Sequence, residues 1–478
     1  MTFPRSTDIA AYAASNFTVY RGDMIHTPRL GTLEVIENAC VGVDHDGTIR
    51  FVSTGENYVE EAQKFNAALK VDTISVCELG AKTGSFFFPG FIDTHIHAPQ
   101  YPNAGIFGES TLLNWLTTYT FPMESSIKDL KLANVVYNKV LNKTLANGTT
   151  LAAYYATLDP DATNLLADLC LQKGQRALIG RVCMDSNSPD YYVETLEQSK
   201  KSTTQVIAHV EQRDPLGELV QPILTPRFAP SCSSDLMHWL GELREAKDML
   251  CQTHISENAG EIQWVKGLFP ESDSYAGVYD DHKLLSDKTI LAHAIHLSDA
   301  EKDIIATRGC GIAHCPISNS SITSGEARVR WLLNSKIPVG LGTDISGGYS
   351  PSILSTARQA LLVSRHLAMK SLQDNDKLTV NEVLYLATMG GAKVCSMENK
   401  VGSFEVGKKW DAQLVDLNVE NSPVDLFEWQ VPQNSSVVGN FPTATKFENM
   451  VAKWLFNGDD RNTVSVWVNG RNVVNKIC

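Results

Sequence analysis

Eight short apolar runs alternate with longer helical patterns through the middle of the chain, most of these runs end in His, Arg or Asp, and both chain ends are rich in β-branched residues. Together these observations predict an α/β fold, a (β/α)8 TIM-type barrel with a small β-sandwich domain built from both chain termini. The expected division is 1–84 for the N-terminal part of the sandwich, 85–402 for the barrel and 403–478 for the C-terminal part.

The elements follow in chain order. From about Asn16 to Glu78 the chain reads as a small β-unit, with Asp46-Gly47 as a hairpin turn between two strand-like runs. The eight barrel strands are expected to end at His95-Ile96-His97, Ala156-Thr157, Met184-Asp185, Pro226-Arg227-Phe228, His254-Ile255-Ser256, Ala292-His293, Ala313-His314 and Thr343-Asp344. Strand character returns at Leu414–Leu417 and Val464–Val468, the latter running into a second turn signal at Asn469-Gly470. Neither terminal segment has enough strands for a stable core, so the two are expected to pair.

A chain of 478 residues, 43% hydrophobic and 20% charged, can bury a large core without help from disulfides. A formal charge of −13 and no basic run argue against a nucleic-acid partner and suit a small, roughly neutral substrate. The ten cysteines form no Cys-x-x-Cys pair and read as reduced, mostly buried thiols. Met1 to Ser15 lacks the pattern of a signal peptide or membrane span, so a cytoplasmic protein with no membrane partner is expected. The sequon Asn147-Gly148-Thr149 directly precedes an apolar run and is taken as chance.

The polar residues at the strand ends carry the chemistry. His95 and His97 are two apart in a strand, so their imidazoles share a face and can share a cation. With His254, His293 and Asp344 they offer enough ligands for Zn²⁺ or a similar divalent ion, with a position left open for water. A lone histidine is more often a packing residue; repetition across strand ends is what favours a metal. His26, His45, His209, His238, His282 and His366 fall outside any motif and read as ordinary packing or surface residues. Asp93 and Thr94 read as supports that orient the ligands.

The run Pro89-Gly90-Phe91-Ile92-Asp93-Thr94-His95-Ile96-His97 resembles the first-strand motif of the amidohydrolase superfamily. Thr253-His254-Ile255-Ser256-Glu257, Leu291-Ala292-His293 and Gly342-Thr343-Asp344 are similar to its later strand-end motifs, in the same order. The segments His97-Ala98-Pro99-Gln100-Tyr101, Trp115–Pro122, Thr225-Pro226-Arg227-Phe228 and His314–Asn319 resemble more narrowly the guanine deaminase family. The resemblance implies hydrolytic deamination of guanine to xanthine and ammonia, within purine catabolism. It implies one Zn²⁺ per subunit on His95, His97, His254 and Asp344. The absence of lysine between Leu219 and Cys232 fits the superfamily's one-metal members, since the two-metal members carry a bridging carboxylated lysine there.

It further implies that Glu257, His293 and Asp344 are catalytic: Glu257 protonates the ring nitrogen, His293 steadies the attacking oxygen and Asp344 shuttles a proton. Gln100, Trp115, Leu116, Arg227, Phe228, His254 and Glu257 would contact substrate, and the subunit would form a homodimer. Trp115 could equally pack against Leu112 and Leu116, Arg227 could make a structural salt bridge, and His314 could line the pocket or serve packing alone. Ala294, where the family more often has Gly, and His296 beyond it leave the local loop shape open. Two rival readings are an aminohydrolase of another amino-substituted heterocycle and a barrel that has lost its chemistry and serves as a scaffold. The His-x-Glu with Pro-Cys-x-x-Cys design of the base-flipping deaminases is absent.

Overall fold

The structure, a computed structural model, describes residues 17–54, 57–67, 74–79, 84–430 and 443–476, so the N-terminal segment Met1–Asn16 read above lies outside the described residues. The chain divides into two compact units, Met1–Gly90 with Asn399–Cys478, and Phe91–Glu398.

In the first unit, strands from both chain ends are hydrogen-bonded into a single eight-stranded sheet. The sequence reading expected the two ends to pair into a sandwich; among the described residues their strands join one hydrogen-bonded sheet, and Tyr20 on the first strand packs 5.5 Å from Trp467, three strands away in the sheet order. Its organising element is the long strand Phe17–Arg29, which pairs antiparallel with Thr32–Val43 along one edge. On the other edge its first half runs parallel to Ile74–Glu78 and its second half meets Ser85–Pro89 at Met24 and Phe87. The change of partner coincides with a register shift between Gly22 and Met24. Gly22 has φ +147°, and a Cβ there would stand 2.7 Å from the Leu79 side chain, so glycine is required.

Ser85–Pro89 then pairs antiparallel with Ala412–Asp416, which continues through Thr463–Val468 to Arg471–Asn475. The last two strands are joined by Asn469-Gly470 with φ +48° and +72°, the left-handed pair that a two-residue hairpin turn demands. One face of the sheet buries an aromatic cluster: Tyr20 stacks on Trp410 at 4.3 Å, while Phe87 meets Tyr20, Trp410 and Trp467 at 5.9, 5.5 and 5.9 Å.

The second unit contains eight successive parallel strand positions: Phe91–His97, Thr149–Tyr155, Arg176–Gly180 with Val182–Cys183, Val220–Pro222 with Thr225–Pro226, Cys251–Ile255, Thr289–His293, Gly311–His314 and Val339–Leu341. Helices alternate with most of them, and most strand residues are buried, as a parallel sheet covered on its faces requires. Backbone bonds Leu224 N to Leu250 O and Gln252 N to Leu224 O join the fourth and fifth positions. Asp344 N to His95 O and His97 N to Ile345 O join the end of the chain segment after the eighth strand to the first, closing the ring. The fully buried Asp93 ties the same seam by accepting from the backbone N–H and hydroxyl of Thr343 and the N–H of His95.

The aromatic cluster gives a stability prediction. Phe87→Ala should lower the unfolding free energy by about 3–5 kcal/mol through lost burial and a residual cavity, read from equilibrium urea unfolding.

Candidate metal centre and active site

The strand ends deliver their polar residues to one place. Ring centroids of His95 lie 4.9 Å from His97, 4.8 Å from His254 and 5.4 Å from His293, and His254 stacks 5.5 Å from His293. Asp344 Oδ1 is 3.2 Å from His95 Nε2 and 3.4 Å from His97 Nε2, and Oδ2 is 3.8 Å from His293 Nε2. His254 Nε2 and His97 Nε2 face each other at 3.3 Å. Two sets, His95 with His97 and Asp344, and His95 with His254 and His293, each place one ligand atom per residue within 4.8 Å of the others.

The donor set fits a divalent cation. Both ring nitrogens of His95, Nδ1 of His97 and Nε2 of His293 are buried without hydrogen-bond partners, a state that costs about 1–3 kcal/mol per group unless another species fills it. Burial holds His95 below the ordinary histidine range and His97 and His254 well below it, so the imidazoles are neutral, the form that binds metal. Nδ1 of His254 lies 2.6 Å from Arg227 O, which orients its Nε2 inward. The Tyr155 ring packs at 4.7, 4.6 and 5.0 Å from His95, His97 and His254 and walls the cluster on one side.

A small cavity opens over this cluster, lined by His97, Gln100, Leu112, Trp115, Leu116, Arg227, Phe228, His254, Glu257, Glu261, His293, Ile322 and Asp344. Each side chain expected to contact substrate therefore borders one cavity. Trp115 and Leu116 are also buried and packed with Leu112 and Phe228, so they serve core and cavity wall together. His314 borders a separate cavity beside Arg328 and Trp331. The structure thus does not place it in the site.

Two carboxylates face His293 with opposite electrostatics. Glu257 Oε2 is 3.4 Å from His293 Nε2, and Ser324 Oγ donates to its Oε1 at 3.2 Å. Burial, with Asp344 and Glu261 nearby, raises Glu257 well above the usual carboxylate range. Burial pushes Asp344 upward too, but the imidazoles gathered around its carboxylate, His95 foremost at 3.2 Å, outweigh it and hold Asp344 at about 2. His293 itself is oriented by Asn319 Oδ1, 2.9 Å from its Nδ1.

Arg227 makes a two-pronged ion pair with Glu124: Nη1 donates to Oε2 at 2.6 Å and Nη2 to Oε1 at 3.0 Å. The salt bridge that the sequence left open as an alternative role is thus present, inside the site. Gln100 Nε2 donates to Glu124 Oε1 at 2.7 Å, and its Oε1 accepts from Ser346 N at 3.1 Å. Glu124 was missed in the sequence. Its one signal was position, two residues beyond the Trp115–Pro122 motif, and nothing in that spacing shows that it reaches Arg227, 103 residues on. Glu261, Ser324 and Tyr155 were missed for the same reason.

Ala294 adopts φ +49° and follows His293 at φ +72°, so the loop keeps the left-handed turn that glycine would favour. His296 is held by a contact of its Nε2 with Ser324 O at 2.8 Å.

The geometry has counterparts in known proteins. The amidohydrolase family profile matches residues 86–473. The chain belongs to the amidohydrolase family. It is 50% identical to a probable guanine deaminase of Schizosaccharomyces pombe, covering 95% of this chain and 82% of that one. It is 40% identical to the guanine deaminase of Homo sapiens, covering 95% and 96%. Among solved structures, a C. acetobutylicum guanine deaminase with bound guanine in its active site superposes with a TM-score of 0.83 at 32% identity, covering 96% and 100%.

The loop geometry gives a prediction. Ala294→Gly should leave stability within about 1 kcal/mol, since relief of the left-handed strain offsets the added chain entropy. Ala294→Val should cost at least about 1–2 kcal/mol, because a β-branched residue is disfavoured there; thermal unfolding measures both.

Proposed function

We propose that this protein is a guanine deaminase that works with one Zn²⁺, held by His95, His97, His254 and Asp344, and converts guanine and water to xanthine and ammonia. The observation that carries the reading is the single cavity in which Gln100 and Arg227 sit at one side and Glu257, His293 and Asp344 converge over the imidazole cluster. Guanine deaminases at 40–50% identity over 95% of the chain support the substrate.

When bound, the cation supplies Lewis acidity that brings the pKa of a water toward neutrality. Arg227 retains N–H groups beyond the two given to Glu124 and donates them to the acceptors of the base, while the Gln100 amide reads its polar edge. Phe228, Trp115, Leu112 and Leu116 supply apolar wall for a flat ring. Asp344, ionised, accepts the proton of the attacking water. Glu257, kept protonated, gives its proton to the ring nitrogen next to the amino-bearing carbon as the C–O bond forms and aromaticity is lost. His293 hydrogen-bonds the oxygen that becomes the new carbonyl. The proton on Asp344 then passes to the amino group, the C–N bond breaks and ammonia leaves, while the remaining hydroxyl proton passes to Glu257, which restores its acid form as the new carbonyl closes. A homodimer in the cytoplasm belongs to the same reading.

The purified, zinc-supplied protein should turn over guanine, followed by the change in ultraviolet absorbance to that of xanthine. Glu257→Gln should lower kcat by about 10²–10⁴-fold with zinc content unchanged. Absence of turnover with stoichiometric zinc would point to another amino-substituted heterocycle, and absence of zinc as well would favour a scaffold. Chelation should abolish activity and lower the melting temperature, both restored by added zinc, since the cation fills the buried nitrogens.

A further inference from the structure

Glu124 has no exposed surface; its ion-pair partner is Arg227, and the neutral His97 lies beside it with Nδ1 3.9 Å from Oε1. Its two oxygens accept four hydrogen bonds: Oε1 from Gln100 and Arg227, Oε2 from Arg227 and from the Tyr192 hydroxyl at 2.8 Å. Thr157 Oγ1 stands 3.0 Å from the Tyr192 hydroxyl and 3.3 Å from Glu124 O, so its one hydrogen serves one or the other. The carboxylate is therefore clamped, and it clamps the two side chains proposed to read the substrate.

Two consequences follow. The first is geometric. With Nε2 of Gln100 held by a carboxylate and Oε1 by the Ser346 N–H, the amide has one orientation, and the Arg227 fork has one plane. Rotamer entropy that a free Gln and Arg would lose on binding has been lost already during folding. The second is electrostatic. An unpaired, water-poor guanidinium would attract anions strongly; paired with Glu124, Arg227 keeps directed N–H donors while its charge is cancelled.

We propose that Glu124 is a positioning and specificity-determining residue: it orders Gln100 and Arg227 for binding and makes the cavity select an uncharged ring over an anionic one. This deepens the guanine reading and rests on it. Glu124 takes no part in proton transfer, because its oxygens are occupied by Arg227, Gln100 and Tyr192 and it is absent from the cavity lining. Its removal therefore acts on ground-state and transition-state binding together, which raises KM more than it lowers kcat.

The test uses the zinc-loaded full-length protein, guanine as substrate, and urate as a purine probe that is anionic at neutral pH. Guanine turnover by the unsubstituted protein checks the functional reading separately from the proposal. Glu124→Gln should raise KM about tenfold or more with a smaller change in kcat, and should tighten urate inhibition about tenfold relative to guanine binding. Glu124→Asp keeps the charge but shortens the reach. It should raise KM while leaving urate discrimination intact, and it serves as the deciding variant if Glu124→Gln does not yield folded protein. An unchanged KM in Glu124→Asp, or a Glu124→Gln variant that loses kcat alone or shows unchanged urate inhibition, overturns the proposal. Should the unsubstituted protein leave guanine untouched, calorimetric binding of guanine and urate replaces the kinetic readout, with the same shifts expected.

Discussion

An ionised carboxylate and four imidazoles meet at a buried point beneath the cavity. Burying Asp344 as an anion is costly in isolation, and nitrogens pointing at one another without protons to share leave their lone pairs unmatched. A cation resolves both problems at once: it stabilises the carboxylate and fills the lone pairs. The surrounding fold serves this point. The Asp93 seam joins the segments that carry His95 and Asp344, the Arg227 carbonyl directs His254, and Asn319 directs His293. Such supports set the geometry of ligands nearly as much as the ligands themselves.

The same low dielectric separates the carboxylates by task. Asp344 sits among imidazoles and stays ionised; Glu257 faces a carboxylate on either side and stays protonated. A pair of acids pushed apart in this way is the usual signature of acid and base in one site. Glu124 shows a third outcome, an anion held by four donors and removed from the chemistry altogether. Identity of side chain decides none of these roles; the neighbours do.

What could be read in the sequence follows from this. His95 and His97 were legible because strand alternation is a local rule, and the eight strand ends because most of the runs stop at a polar residue. The Asn469-Gly470 turn was legible for the same local reason. Glu124, Tyr155 and Ser324 were not, since their meaning lies in partners brought close only by closure of the ring. His314 shows the converse: a strand-end histidine, apparently like the others, turned into a different cavity. The terminal β segments were expected to associate, but the order of a sheet in which Phe17–Arg29 changes partner midway depends on a bulge that no periodicity announces.

The strand ends also carry a backbone cost. Ser256, His293, Ala294 and Asp344 have φ of +48°, +72°, +49° and +45°, the left-handed region that residues with a Cβ avoid. The left-handed step ends the extended backbone at His293 and, just beyond the eighth strand, at Asp344. Strain of about 1–3 kcal/mol per such residue persists only where the surroundings overdetermine the conformation. Here they do: Ala294 N and His296 N are bound by Ile255 O and Ser256 O, and Asp344 N by His95 O. The turns after the fifth and sixth strands thus hold one another, Asp344 is held by the first strand, and positions unfavourable for stability are among those that aim the reacting groups.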